Sequence, residues 1–175
     1  MMNTPDAEAL YRAVLEQIRA AYPADTFGAP DGMAIAGIHS GGAWLAERLA
    51  HDLGATQWGV VNVALHRDDY AKKGLHSQAS PTALPFEVEG RRILLVDDVL
   101  HTGRTVRAAL NELYDYGRPA SVELAVLVDR GGRELPVAAR FTGGEMRQAD
   151  PESTLVLERA DDGRFALRIE PREAH

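Results

Sequence analysis

Apolar positions recur at helical spacing in three stretches of this chain and as short unbroken runs in four others. Leu10, Val14 and Ile18 mark one face of a helix over residues 5–21, with Thr4 as its N-cap, Pro5 at the first helical position, and Asp6 and Glu8 in the first turn. Leu45, Leu49 and Leu53 do the same for residues 43–53, where Gly54 is the stop, and a third helix spans 104–116 before the breakers Gly117 and Pro119. The unbroken runs lie at 32–38, 58–65, 91–96 and 122–129. A run without alternation is a strand buried on both faces, as in a parallel sheet covered by helices. The order of these elements predicts an α/β fold, a mostly parallel twisted sheet flanked by helices and joined by right-handed crossovers. Beyond residue 135 the apolar pieces at 135–141, 154–159 and 165–170 are short and split by Gly, Pro and acidic turns, which predicts a small antiparallel-leaning subregion.

Residues 66–85, HRDDYAKKGLHSQASPTALP, break the pattern: they have no periodicity, mixed charge and two prolines. A connection of this length inside a compact domain is usually functional, and a lid is the expectation. With 175 residues, no internal repeat and no linker composition, a single domain over 1–175 is expected, its lid at about 66–85 and a hood at about 135–170.

Composition narrows the chemistry. No stretch approaches the roughly 20 apolar residues that cross a bilayer, and the first ten residues resemble no signal peptide, so a cytoplasmic protein without membrane contact is expected. The absence of cysteine excludes disulfides, thiolate metal sites and cysteine nucleophiles. A net charge of −7 argues against a general nucleic-acid binder but leaves room for a local basic face. The six histidines show no metal-ligand spacing, and Trp44 and Trp58 sit on apolar elements, as core residues do.

The run Ile93, Leu94, Leu95, Val96 ends in the acid pair Asp97 and Asp98, followed by His101, Thr102, Gly103, Arg104 and Thr105 at a helix start. The carboxyl edge of an open α/β sheet is where ligands bind. Unsatisfied N–H groups at a helix start form an anion site, and a glycine there lets the ligand approach closely. Two carboxylates beside a phosphate repel a second anion but accept well from vicinal sugar hydroxyls. The ligand that needs both is a ribose 5-phosphate. A Walker loop does not compete, because no Gly-Lys-Ser/Thr is present.

Residues 93–105, ILLVDDVLHTGRT, resemble the thirteen-residue motif of type I phosphoribosyltransferases, which bind 5-phosphoribosyl 1-pyrophosphate (PRPP). GRPASVELAVLVDRGGRELPVAARFTG and LHRDDY resemble the PyrR family, bifunctional pyrimidine operon regulators with uracil phosphoribosyltransferase activity. The resemblance covers about residues 32–160 and implies the type I phosphoribosyltransferase fold, with a flexible lid and a small C-terminal hood. It implies that the motif, including Val99 and Leu100, binds PRPP, with Asp97 and Asp98 on the ribose 2- and 3-hydroxyls and residues 101–105 on the 5-phosphate. His39, Ser40, Gly41 and Gly42 match the pyrophosphate loop, Arg67 closes over the diphosphate with the lid, and Asp129 reaches Mg2+ through water. His101, Arg130, Val137 and Phe141 are candidates for the base site. Uracil and PRPP would give UMP and pyrophosphate, with pyrimidine-operon leader RNA as a further partner and a homodimer or tetramer as the assembly.

Two departures bear on activity. Family members often carry a Lys or Arg, then Thr and Arg or Gly, where this chain has His39, Ser40 and Gly41, which weakens pyrophosphate binding unless a protonated His39, Lys72 or Lys73 supplies the charge. The position of His101 is often Tyr in the regulators and Asp in purine enzymes, where it contacts the base. Three readings therefore stay open: a uracil phosphoribosyltransferase, a catalytically weak nucleotide-sensing RNA-binding regulator, and a phosphoribosyltransferase for another base such as hypoxanthine. Arginines between 130 and 147 fit a solvated rim as well as they fit a base or RNA site.

Overall fold

The computed structural model describes residues 4–63, 81–146 and 152–171. Helix α1 is Ala7–Ala21, followed by β1 (Ala34–Ile38), α2 (Gly41–Leu53), β2 (Trp58–Val61), β3 (Arg92–Leu100), α3 (Arg104–Tyr114), β4 (Ser121–Asp129), β5 (Phe141–Glu145), β6 (Ser153–Arg159) and β7 (Phe165–Pro171). The first five strands form one sheet in the order β2-β1-β3-β4-β5, every pair parallel, and β6 and β7 form an antiparallel hairpin. Among the described residues no helix is long and apolar enough to cross a membrane.

The apolar run at 93–96 is buried for the reason its pattern implies. Leu94 and Val96 join a core with α1, α2 and the hairpin, while Ile93 and Leu95 join a second core under α3. The first core also takes Ile18, Leu45 and Leu49 from the helix faces and Leu155, Leu157, Phe165 and Leu167 from the hairpin. The second takes Ile38, Val106, Ala109, Leu113 and Val126. Helices α2 and α3 thus lie on opposite faces of the sheet.

Several expected boundaries move. Asp6, not Thr4, caps α1: its carboxylate accepts from the amides of Glu8 and Ala9, at 3.0 and 3.3 Å, a cap worth about 1 kcal/mol. Gly54 ends α2 in the left-handed conformation, φ 67°, as its position predicts. β2 stops at Val61, and β3 runs past the acid pair to Leu100 because β4 pairs with it throughout. Residues 135–140 form no strand, and β5 enters the main sheet parallel to β4, so only β6 and β7 are antiparallel.

Two long-range contacts fix the periphery. The Gln17 carboxamide lies along the outer edge of β5, donating to the Thr142 carbonyl at 2.8 Å and accepting from the Thr142 amide at 3.2 Å. Arg48 of α2 donates to both oxygens of Glu8, at 2.8 and 2.9 Å, and to the Gly163 carbonyl in the hairpin turn. Its guanidinium sits 3.8 Å from the Phe165 ring centroid and 5.0 Å from that of Tyr11. The Phe165 amide closes the set by donating to Glu8 at 2.7 Å.

Candidate active site

The crevice opens where strand order reverses. β1 leads through α2 outward to β2, whereas its neighbour β3 leads through α3 in the other direction to β4, so loops 38–41 and 100–104 diverge above the β1–β3 junction. The last β1–β3 pair is Gly37 with Val96, but β3 stays paired to β4 as far as Leu100 and Asp129. From Asp97 onward β3 therefore stands as a ledge, bonded on one side and open on the other.

Asp97 and Asp98 occupy this ledge. The Asp97 Oδ1 accepts from the Asp98 amide and the Asp98 Oδ1 from the Val99 amide, each at 2.8 Å. Asp97 and Asp129 are the buried charged side chains among the described residues. Asp98 faces the start of α2, and strict alternation does not continue past the acids, because Val99 joins the first core with Leu94 and Val96 while Leu100 joins the second with Ile93 and Leu95. The Asp98 Oδ2 lies against Gly41, where a Cβ would come within 2.4 Å of it, and a Cβ on Gly42 would come within 2.4 Å of the Val96 carbonyl. Bare glycine backbone is thus what lets the start of α2 reach the acid pair. His39 and Ser40 are exposed, their peptide is cis, and the Ser40 side chain makes no capping bond.

Residues 101–105 form the other wall. Gly103 caps α3 with φ 97°, and a Cβ there would strike Val137 at 2.7 Å. The Thr102 hydroxyl accepts from the Arg104 amide at 3.1 Å, and Arg104 pairs with Glu134 at the surface. His101 rests on Gly132, its Nδ1 2.8 Å from the Gly131 carbonyl, which can only accept; the ring therefore carries its proton on Nδ1. Both glycines after β4 are left-handed, at φ 74° and 75°.

Not every expected residue reaches the crevice. Ile93, Leu94, Leu95 and Val96 are at most 2% exposed within the two cores, and Leu100 is buried as well, so they position the loop without touching a ligand. Val99 packs on the first core. Phe141 sits opposite Ala125, four residues below the carboxyl end of β4, and stacks edge-on with Tyr22; it belongs to the core, not to a base site. Val137 lies at Gly103, and Arg130 turns to the Ser153 carbonyl at 2.9 Å. Asp129 accepts from Arg133 at 2.6 Å and from the Gly131 amide at 2.9 Å. Arg67, Lys72 and Lys73 fall outside the described residues. Arg133 was readable only as one arginine of the rim; the signal beside it is the Gly131–Gly132 pair one residue past the end of β4.

A parallel sheet with an acid ledge and two glycine-rich helix starts at its switch point defines a phosphoribosyltransferase, and the comparisons agree. Residues 3–156 match the phosphoribosyl transferase domain family. A solved hypoxanthine phosphoribosyltransferase from Trypanosoma cruzi superposes with a TM-score of 0.59 at 20% identity, covering 86% of this chain and 82% of that one, a likeness of fold. The bifunctional protein PyrR of Ralstonia nicotianae is 61% identical over 97% of both chains, and that of Nitrosococcus oceani is 51% identical over 80% of this chain and 81% of its own. The chain belongs to the PyrR family.

Proposed function

We propose that this chain transfers the phosphoribosyl group of PRPP to uracil, giving UMP and pyrophosphate, and that it regulates pyrimidine genes by attenuation. The observation that supports the reading is the approach of Gly41 to the Asp98 carboxylate, which brings the start of α2 against the acid ledge. The reaction makes the uracil N1 to ribose C1 bond and breaks the bond from C1 to the pyrophosphate oxygen, with loss of the N1 proton. Asp97 and Asp98 hold the ribose hydroxyls. The amides at the start of α3 and the Thr102 and Thr105 hydroxyls hold the 5-phosphate. The amides of Ser40, Gly41 and Gly42 hold the diphosphate, and Arg67 adds charge from the lid at about 66–85, whose far end is fixed where Ala83 pairs with Val60, over a single domain spanning 1–175. His101 and Val137 border the base.

Magnesium fits this donor set. Such an ion is usually held by one or two carboxylates together with substrate phosphates and water, and no group of three or more ligating side chains exists among the described residues. Asp98 offers an oxygen at the crevice, and Asp129, already held by Arg133, acts through water. When bound, the ion neutralises the diphosphate as it leaves.

Leader RNA and a homo-oligomeric assembly complete the proposal. Arg12 and Arg19 lie two turns apart on the exposed side of α1, a basic position for phosphate contacts. A uracil-plus-PRPP assay of pyrophosphate release, run beside hypoxanthine, tests the enzyme; release with hypoxanthine alone overturns the base assignment, and release with neither overturns catalysis.

A further inference from the structure

We infer that the phosphate loop is set from behind by residues 133–135, and that Arg133 is a positioning residue for 5-phosphate binding. The inference rests on the proposed use of residues 101–105 and adds the device that orients them.

The geometry starts from three bonds made by one guanidinium. Arg133 donates from Nη2 to Asp129 Oδ2 at 2.6 Å, from Nη1 to the His101 carbonyl at 2.9 Å and from Nε to the Val137 carbonyl at 2.9 Å. It therefore ties together the end of β4, the first residue of the phosphate loop and the segment that covers Gly103. The next carbonyl is held in the same way: Thr102 O accepts from the amides of Glu134 at 2.8 Å and Leu135 at 3.2 Å.

A trans peptide points its C=O and N–H in opposite directions. With the carbonyls of His101 and Thr102 both drawn toward residues 133–135, the N–H groups of Thr102 and Gly103 turn the other way. Those two amides donate no hydrogen bond to the described residues. Gly103, at φ 97°, supplies the left-handed turn that lets consecutive amides converge, the concave arrangement that receives an anion. The positive groups of the site are thus main-chain amides, and what aims them is the pull on the opposite end of each peptide.

Asp129 completes the device. Its other oxygen accepts from the Gly131 amide at 2.9 Å, so the carboxylate is a fixed anchor for the guanidinium. A planar fork with donors in three directions makes these bonds at once, which a lysine ammonium cannot reproduce.

The test compares Arg133→Lys and Arg133→Met with the wild-type chain in steady-state kinetics and in calorimetric binding of UMP. The lysine variant keeps a cation beside Asp129 and preserves the fold. It is expected to raise the KM for PRPP and the Kd for UMP on the order of 10-fold, and the methionine variant on the order of 100-fold, as small misplacements of binding groups do. The KM for uracil, which carries no phosphate, stays within about twofold in the lysine variant. A lysine variant with unchanged PRPP and UMP constants overturns the inference, as does one in which kcat, both KM values and the melting temperature fall together, the mark of a purely structural role. If the methionine variant does not fold, the lysine variant decides alone. Wild-type protein that binds neither PRPP nor UMP overturns the proposed function itself and this inference with it; wild-type binding with an indifferent lysine variant overturns only the inference.

Discussion

Gly41 stands against the carboxylate of Asp98, with room for a hydrogen but not for a methyl group: an added Cβ would come within 2.4 Å of Oδ2 and 2.9 Å of Cγ. The obstructing atoms belong to a side chain that can rotate, so Gly41→Ala leaves the fold intact and moves the acid. The expected outcome is a melting temperature within a few degrees of wild type and a KM for PRPP raised on the order of 10-fold or more. Unchanged PRPP kinetics would overturn the diphosphate role proposed for this loop.

The role proposed for the acids is to bind ligand rather than to hold the fold. An asparagine at either position retains the oxygen that now accepts the following amide, so Asp97→Asn with Asp98→Asn stays folded. Its affinity for PRPP drops sharply, because a neutral amide is a weaker acceptor from ribose hydroxyls than a carboxylate. Titration calorimetry that finds the wild-type affinity in the double variant shows the ribose assignment to be wrong.

Glu8 makes the hairpin's attachment sensitive to acid. Burial raises its carboxyl pKa, but the Phe165 amide, the Arg48 bonds and charge, and Arg164 outweigh that, and the net value lies below the ordinary 4.5. A group with a depressed folded pKa stabilises the protein fully above its unfolded value, and that stabilisation is lost as the pH falls through the folded one. Glu8→Gln should therefore flatten the loss of stability between about pH 5 and pH 3. Arg48→Ala, which also removes the stacking on Phe165, should cost about 2 kcal/mol at neutral pH in urea denaturation. Acid profiles that superimpose for Glu8→Gln and wild type would remove Glu8 from this role.

Gln17→Ala strips two hydrogen bonds from the backbone of Thr142 without touching the core. Water can reach the uncovered groups, so the expected loss is about 1 kcal/mol. Hydrogen exchange should show the Thr142 amide losing protection while amides of β3 keep theirs; equal protection in the variant shows that Gln17 is dispensable there.

The sequence disclosed what depends on local chemistry. The burial of 93–96 followed from an apolar run, the end of α2 from Gly54, and the start of α3 at Arg104 from the position of Gly103. Strand ends were harder, because β3 continues through two acids only where β4 happens to lie beside them, and no residue within β3 announces that pairing. Phe141 was misplaced for a related reason: an aromatic near the motif is legible as such, but its register four residues below the sheet edge is not. Glu8 with Phe165 and Gln17 with Thr142 are separated by 157 and 125 positions, and nothing local points from one to the other. Arg133 escaped notice because its partners are mostly carbonyl oxygens, which every residue owns.

The amide side chain of Gln17 has a consequence for how copies of this chain can meet. A last strand with bare main chain invites another strand to add to it, and repeated addition is the route to ribbon-like polymers. Here a side chain from α1 imitates the missing neighbour at Thr142, filling both its donor and its acceptor. A second molecule's strand laid along β5 would find neither donor nor acceptor free at Thr142.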